Sequence, residues 1–234
     1  AADPKLYPYP AYKTHEVGVP LGENYQPVSY NLQTEYRHGL GIVADVRVIC
    51  ITGGGLGAER LNKAASLIVP TLLKHYPSLV ILHISGRKHE TNLKTYYDQE
   101  LTADQRKQVV VKGFVSDLYR YTAAADIVVS RAGATQLAEL AMQKKAAIIV
   151  PNPLLTGGHQ LKNTEQLVKA GAITLVPESE LADSSTLLNV IRDLLDHQDK
   201  RRSLAEKMGT FAKPEATKSL AAIILDVAKG DQTG

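Results

Sequence analysis

The sequence has no Trp, one Cys, two Met and two Phe among its 234 residues. A single cysteine, Cys50, excludes an intrachain disulfide framework and a Cys-rich zinc site. Its expected state is a reduced, buried thiol, which fits a cytoplasmic protein. A surplus of one charge is also lacking: 27 Lys plus Arg stand against 24 Asp plus Glu, for a net +3. With no basic run to concentrate it, that charge argues against a nucleic-acid partner. No apolar run approaches the roughly 18 residues that suggest a membrane span. The opening AADPKLYPYPAYKTHEVG has neither the charged start nor the apolar middle of a signal peptide. No HExxH, GxSxG or paired metal-ligand spacing occurs, so metalloprotease and α/β-hydrolase readings lack support, and neither a metal nor a cofactor is expected. His83 lies inside an apolar stretch and reads as a satisfied core histidine. His38, His75, His89 and His197 are isolated, and Asp117 and Asp126 read as helix-end and strand-end charges.

What is present is a globular composition, 44% hydrophobic and 22% charged, which excludes disorder, collagen and coiled coil. A break falls near residue 45. Residues 1–45 hold five of the eleven Pro and six of the eleven Tyr with no sustained apolar period, and read as an arm or linker. From 46 to 229 a regular beat takes over, and 230–234 is a tail. Strands are expected at 46–52, 79–85, 109–114, 126–130, 146–151 and 172–177. Helical spacing covers 58–76, where Pro70 predicts a kink or an early stop. A short polar helix is expected within 90–107, and another over 116–125 with Ser116 as its N-cap. Further helices fall at 134–145 and at 159–171, the latter closed by Gly171, with more over 180–229 broken near 197–199 and 213–215. Six strands, each apolar along its whole length and alternating with helices, imply a parallel sheet covered on both faces. The expected fold is α/β, a Rossmann-like doubly wound domain.

In such a sheet ligands bind beyond the carboxyl ends of the strands, and three of those loops carry unusual residues. Gly53-Gly54-Gly55-Leu56-Gly57-Ala58 follows the first strand. Its backbone amides and the next helix N-terminus suit a phosphate or diphosphate, although a tight turn alone would also need glycine. It is no Walker A loop, because no Gly-Lys-Ser/Thr follows. The second loop, from Ser130 to Leu140, opens a helix with Ala134, Thr135 and Gln136 in its first turn and Glu139 one turn on. A carboxylate can accept from two vicinal hydroxyls, as on a ribose, but a surface Glu is an equally good reading of the spacing. The third loop, from Pro151 to Asn163, is rich in Pro and Gly and brings His159, Gln160 and Asn163 to a helix start. Those side chains can read sugar hydroxyls or phosphate, or simply stand as polar residues of a mobile loop's helix.

GGGLGAERLN, HISGRKHE, GFVSDLYRYTAAADIVVSRAGATQLAEL and GGHQLKN, in that order, resemble the C-terminal half of MurG-type glycosyltransferases of family 28. The likeness covers residues 46–229. It implies the C-terminal half of a GT-B architecture, two Rossmann-like domains facing a cleft. The implied activity is transfer of N-acetylglucosamine from UDP-N-acetylglucosamine to a lipid-linked muramoyl-pentapeptide in peptidoglycan synthesis. The resemblance places Gly53, Gly54, Gly55 and Gly57 at the diphosphate, Phe114 and Val115 at the uracil, and Glu139 at the ribose. Ala134, Thr135 and Gln136 would line the diphosphate end, and Gln160, with His159 and Asn163, would meet the sugar. Three positions depart from the family pattern. Gly55 stands where Ser is usual, His159-Gln160 replaces Gln-Gln, and Gly18-Val19-Pro20-Leu21-Gly22 lacks the Arg of Gly-Asn-Pro-Val-Arg. Residues 1–45 are too few for the family's acceptor-binding domain. The lipid-linked acceptor is therefore expected to be met through a further domain or a partner chain, with peripheral contact at the inner membrane face. The catalytic base belongs to that other part, so none is assigned. Two alternatives stay open. Gly53-x-Gly55-x-x-Ala58 also fits a dinucleotide fingerprint, with Arg87 and Lys88 able to take a 2′-phosphate, which describes an NADP enzyme. A non-catalytic nucleotide-sugar-binding module fits the departures.

Overall fold

The structure is a computed structural model that describes residues 9–10, 13–54, 58–153 and 159–230. Six strands form one parallel sheet: β1 (Val48–Thr52), β2 (Val80–Ile84), β3 (Val109–Lys112), β4 (Ile127–Ser130), β5 (Ala146–Ile149) and β6 (Thr174–Leu175). Their order is β3-β2-β1-β4-β5-β6, so the chain reverses its direction of travel between β1 and β4. That pair is the topological switch point, where a doubly wound sheet opens a crevice at its carboxyl edge. Thr52 of β1 lies beside Ser130 of β4 in register, so both strands end at the same level.

Side chains of β1 alternate between two cores, and both are apolar. Ile49 and Ile51 pack with Leu61, Ile68 and Leu72 of α2 (Glu59–His75) and Leu187, Ile191 and Leu194 of α8 (Ser184–Asp196). Val48 and Cys50 face Tyr121 of α5 (Leu118–Ala124) and Leu137, Leu140 and Ala141 of α6 (Ala134–Met142). This double coverage is why the strands are apolar throughout. It also buries the Cys50 thiol completely and pushes its pKa up to about 12, as an inert core thiol requires.

The remaining helices are α3 (Glu90–Glu100), α4 (Ala103–Lys107), α7 (His159–Lys169), α9 (Gln198–Gly209) and α10 (Ala216–Gly230). Where one polar helix was expected there are two, α3 and α4, because Thr102 and Gln105 close a reciprocal capping box that starts a new helix. α2 runs through Pro70 without stopping, so the expected early end does not occur. Ser116 is not the cap of α5. Asp117 holds that position, makes no side-chain cap bond, and pairs with Arg120 at 3.3 Å instead. Gly171 does close α7, with φ +61° and its amide on the Val168 carbonyl. No described helix is long and apolar enough to cross a membrane.

The stretch read as an arm contains a helix, α1 (Tyr30–Gly39), capped by Ser29 and packed on α5. Polar contacts hold it there. Buried Arg37 donates to the Ala124 carbonyl at 2.9 Å and pairs with Asp126 at 2.9 Å, and Gln33 donates to the Ala125 carbonyl at 3.0 Å. Asp126 also accepts the Val48 amide at 2.8 Å, which ties α1 to the start of β1.

Candidate functional site

A cavity of about 340 Å³ opens at the switch point. Thr52 and Gly54 come from the end of β1, Gly113, Phe114 and Val115 from the end of β3, and Gly133 to Gln136 with Glu139 from α6. Each wall has a local cause. Gly54 takes φ +79°, a conformation that side-chain-bearing residues rarely adopt, so the chain turns directly off β1. Gly113 has no room for a methyl group: a Cβ would lie 2.5 Å from a Glu90 carboxylate oxygen and 3.0 Å from the Arg87 Cα. This close approach sets Phe114 at the cavity rim. Its ring is 50% exposed, and the Arg87 guanidinium carbon sits 3.9 Å from the ring centroid. An exposed aromatic braced by a cation is a ready stacking platform for a flat heterocycle.

The N-terminus of α6 forms the opposite wall. Gly133 is its N-cap and brings no side-chain acceptor, so the first-turn amides carry no side-chain cap. Their partial positive charge favours an anion. Gln136 lines the same cavity, and its Nε2 is buried without a hydrogen-bond partner among the described residues. An orphaned donor of that kind costs about 1–3 kcal/mol unless a ligand satisfies it. Glu139 follows one turn later. Burial raises its pKa above the ordinary value, and a hydrogen bond from the Tyr25 hydroxyl partly opposes the rise.

The structure thus gathers Gly53–Gly54, Phe114, Val115, Ala134, Thr135, Gln136 and Glu139 around the switch point. It sets Gln160 and Asn163 apart. Gln160 Oε1 accepts the Asn152 amide at 2.8 Å and the Ala132 amide at 3.4 Å, clamping two strand-end loops together. Asn163 donates to the Ala132 carbonyl at 3.2 Å. It lines a second, larger cavity of about 730 Å³ between the arm, α6 and α7. Size alone would favour that second cavity. The smaller one lies at the strand ends and holds the unpaired donor and the half-buried carboxylate, which makes it the candidate site. Ala134 borders both. Gly55 and Gly57 lie outside the described residues, as does the side chain of His159, although its backbone opens α7. No group of three or more metal-ligating side chains occurs among the described residues.

Two features of the site escape the sequence. Tyr25, from the arm, reaches Glu139, and no periodicity or motif around it announces the contact. Arg87 was legible only as a phosphate ligand, whereas here it braces Phe114.

A doubly wound sheet with an anion-favouring helix start, an exposed ring and a carboxylate at its switch point has the layout of an α/β ligand-binding domain. Residues 48–220 match the Glycosyltransferase family 28 C-terminal domain, and the chain belongs to that family. It is 36% identical over 179 residues to the UDP-N-acetylglucosamine–N-acetylmuramyl-(pentapeptide) pyrophosphoryl-undecaprenol N-acetylglucosamine transferase of Myxococcus xanthus (strain DK1622), covering 76% of this chain and 45% of that protein. The enzyme of the same name from Pseudomonas paraeruginosa (strain DSM 24068 / PA7) is 35% identical over 78% of this chain and 49% of its own length. Among solved structures, Acinetobacter baumannii MurG superposes with a TM-score of 0.66 at 26% identity, over 83% of this chain and 53% of that one. The chain therefore spans about half the length of the curated relatives it matches.

Proposed function

We infer that this chain is the donor-binding part of an inverting glycosyltransferase. Its donor is UDP-N-acetylglucosamine and its acceptor the lipid-linked muramoyl-pentapeptide of peptidoglycan synthesis. The relatives' shared name supports the donor and acceptor. The observation that carries the reading is the switch-point cavity, which sets a stacking ring, uncapped helix amides and a carboxylate around one space. Phe114 and Val115 border the uracil, Glu139 takes the ribose hydroxyls, and the α6 N-terminus with the glycine loop faces the diphosphate. The acceptor hydroxyl attacks the anomeric carbon as UDP departs. The negative charge growing on the diphosphate is met by amide dipoles already in place, which is where electrostatic catalysis has most effect. The acceptor and the catalytic base come from protein beyond this domain, and the assembly works at the inner membrane face.

Calorimetry with UDP, UDP-N-acetylglucosamine and NADPH tests the reading. The expected result is binding of both uridine ligands and none of NADPH. Tight NADPH binding with no UDP response would establish the dinucleotide alternative instead.

A further inference from the structure

Ala132 is the last residue before the α6 N-cap, and α7 holds both of its backbone groups. Gln160 and Asn163 stand three positions apart near the start of α7, so their side chains share one face of that helix. Asn163 donates its Nδ2 to the Ala132 carbonyl at 3.2 Å. Gln160 Oε1 accepts the Ala132 amide at 3.4 Å and the Asn152 amide at 2.8 Å. Only the oxygen of a side-chain amide can accept, so this end of Gln160 is fixed toward α6 and the exit of β5. The rest of the connection is held from behind. The Val150 amide donates to the Ser130 carbonyl at 2.8 Å, and buried Arg131 donates to the Val150 carbonyl at 3.2 Å and pairs with buried Glu178 at 2.5 Å. Ala132 itself is fully buried. The helix α6 therefore starts from a peptide pinned by a strand behind it and a helix beside it.

We propose that Gln160 and Asn163 are positioning residues for the diphosphate-binding start of α6, acting through Ala132 rather than by touching the donor sugar. The inference rests on the donor reading given above, in which the first-turn amides of α6 face the diphosphate. Two properties of those amides make their placement matter. The charge of a helix end falls off within one turn, and a hydrogen bond weakens steeply once its angle leaves the preferred range. A small tilt of the α6 start thus takes its amides out of line with an anion in the cavity. The N-cap, Gly133, has no side chain with which to resist such a tilt. The resistance comes from α7, through one acceptor and one donor on the residue before the cap. Phe114 and Val115 belong to the end of β3 and take no part in these bonds. Losing the bonds is therefore felt at the phosphate end of the ligand and not at its base.

The test is calorimetry with uridine, UDP and UDP-N-acetylglucosamine on the full chain and on its Gln160→Met and Asn163→Ala variants, with a thermal melt of each to show that it is folded. Met keeps the length of Gln160 and removes the acceptor. Ala removes the Asn163 donor from the other side of the same residue, so the two variants reach Ala132 independently. The expected result for both is a roughly fivefold loss of affinity for UDP, the size of one ordinary hydrogen bond, with the same loss for UDP-N-acetylglucosamine and none for uridine. A loss confined to UDP-N-acetylglucosamine would make the two residues sugar ligands and overturn the proposal. Equal weakening of all three ligands would reduce them to supports of the fold, and unchanged binding of all three would show that α6 keeps its place without them. Either result overturns the proposal as well. If the unmodified chain binds neither UDP nor UDP-N-acetylglucosamine, the donor reading itself falls, and this inference falls with it.

Discussion

Two polar clusters stand near the carboxyl edge of the sheet, one buried and closed, the other half-buried and open. His83, on β2, is fully buried, and both ring nitrogens have partners. Asn62 donates its amide nitrogen to the Ser85 carbonyl at 2.8 Å, so its Oδ1 is free to accept from His83 Nε2 at 3.1 Å. Nδ1, then the bare nitrogen, accepts the Tyr97 hydroxyl at 3.0 Å. A neutral imidazole, one donor and one acceptor, is matched completely. Burial pulls its pKa down to about 3, so the ring stays neutral. The cluster around Glu139 is built otherwise. The half-buried carboxyl has its pKa raised by burial, the neighbouring Gln136 amide nitrogen has no partner among the described residues, and the Phe114 ring stands half in solvent. A polar group that the fold needs has its partners inside the fold. A polar group left short of partners beside a cavity is placed for something that arrives later.

The contrast predicts opposite consequences for mutation. His83→Ala strands the Asn62 and Tyr97 groups and leaves a hole, at a cost of about 3–5 kcal/mol. For a domain of this size that lowers the melting temperature by roughly 6–20 °C. UDP affinity of the folded protein should hold. A thermal melt within about 2 °C of the parent would show that the closed cluster contributes little to the fold. Glu139→Ala should do the reverse. UDP affinity falls roughly 10- to 150-fold, as for a hydrogen bond to a charged group, while the melt stays nearly unchanged. Titration and melting on the same variant separate the two roles, and a melting drop with affinity intact would move Glu139 into the structural class. Phe114→Ala comes third: loss of one side of a base stack costs about 1 kcal/mol, or roughly fivefold in UDP affinity. Uridine should lose affinity by the same factor, and a loss confined to the diphosphate would take the base away from Phe114.

The sheet was legible because its strands are apolar on both faces, a pattern that few other arrangements produce. The switch-point site was legible for the same reason, since topology alone sends ligands to the ends of β1 and β4. The edge was harder. AITLVP shrinks to a two-residue β6, because only Thr174 and Leu175 pair with β5. The helix α1 was not legible at all. It is held by Arg37 and Gln33 donating to distant carbonyls and by the Tyr36 ring against Tyr119, and neither polar tertiary bonds nor a single ring leave a period in a sequence. Tyr25 was hidden for a related reason: its partners, Tyr119 and Glu139, are brought to it only by the folded domain. His83 and Glu139 looked alike as single polar residues in apolar text, and the inventory of partners is what separates them.

The smallest expected effect sharpens the comparison most, because the two clusters should respond to pH with opposite sign. His83 has a folded pKa depressed from 6.5 to about 3, so its contribution to stability is present above pH 6.5 and is lost as pH falls toward 3. Glu139 has a folded pKa raised above 4.5, chiefly by burial. Its contribution is full below pH 4.5 and is lost as pH rises through the folded value. At neutral pH the ionised carboxylate therefore sits less comfortably in the folded chain than in the unfolded one. Glu139→Gln keeps the shape and removes the charge. It should melt slightly higher than the parent at pH 7, and the advantage should shrink to nothing below pH 4.5, where the parent carboxyl is itself neutral. The same substitution should weaken UDP binding at pH 7, because a neutral amide accepts less strongly from ribose hydroxyls. Paired melts across that range are the measurement. An advantage that is independent of pH, or that grows toward acid, would mean that the carboxylate is not held against its own desolvation, and the open cluster would lose the strain that marks it as a binding site.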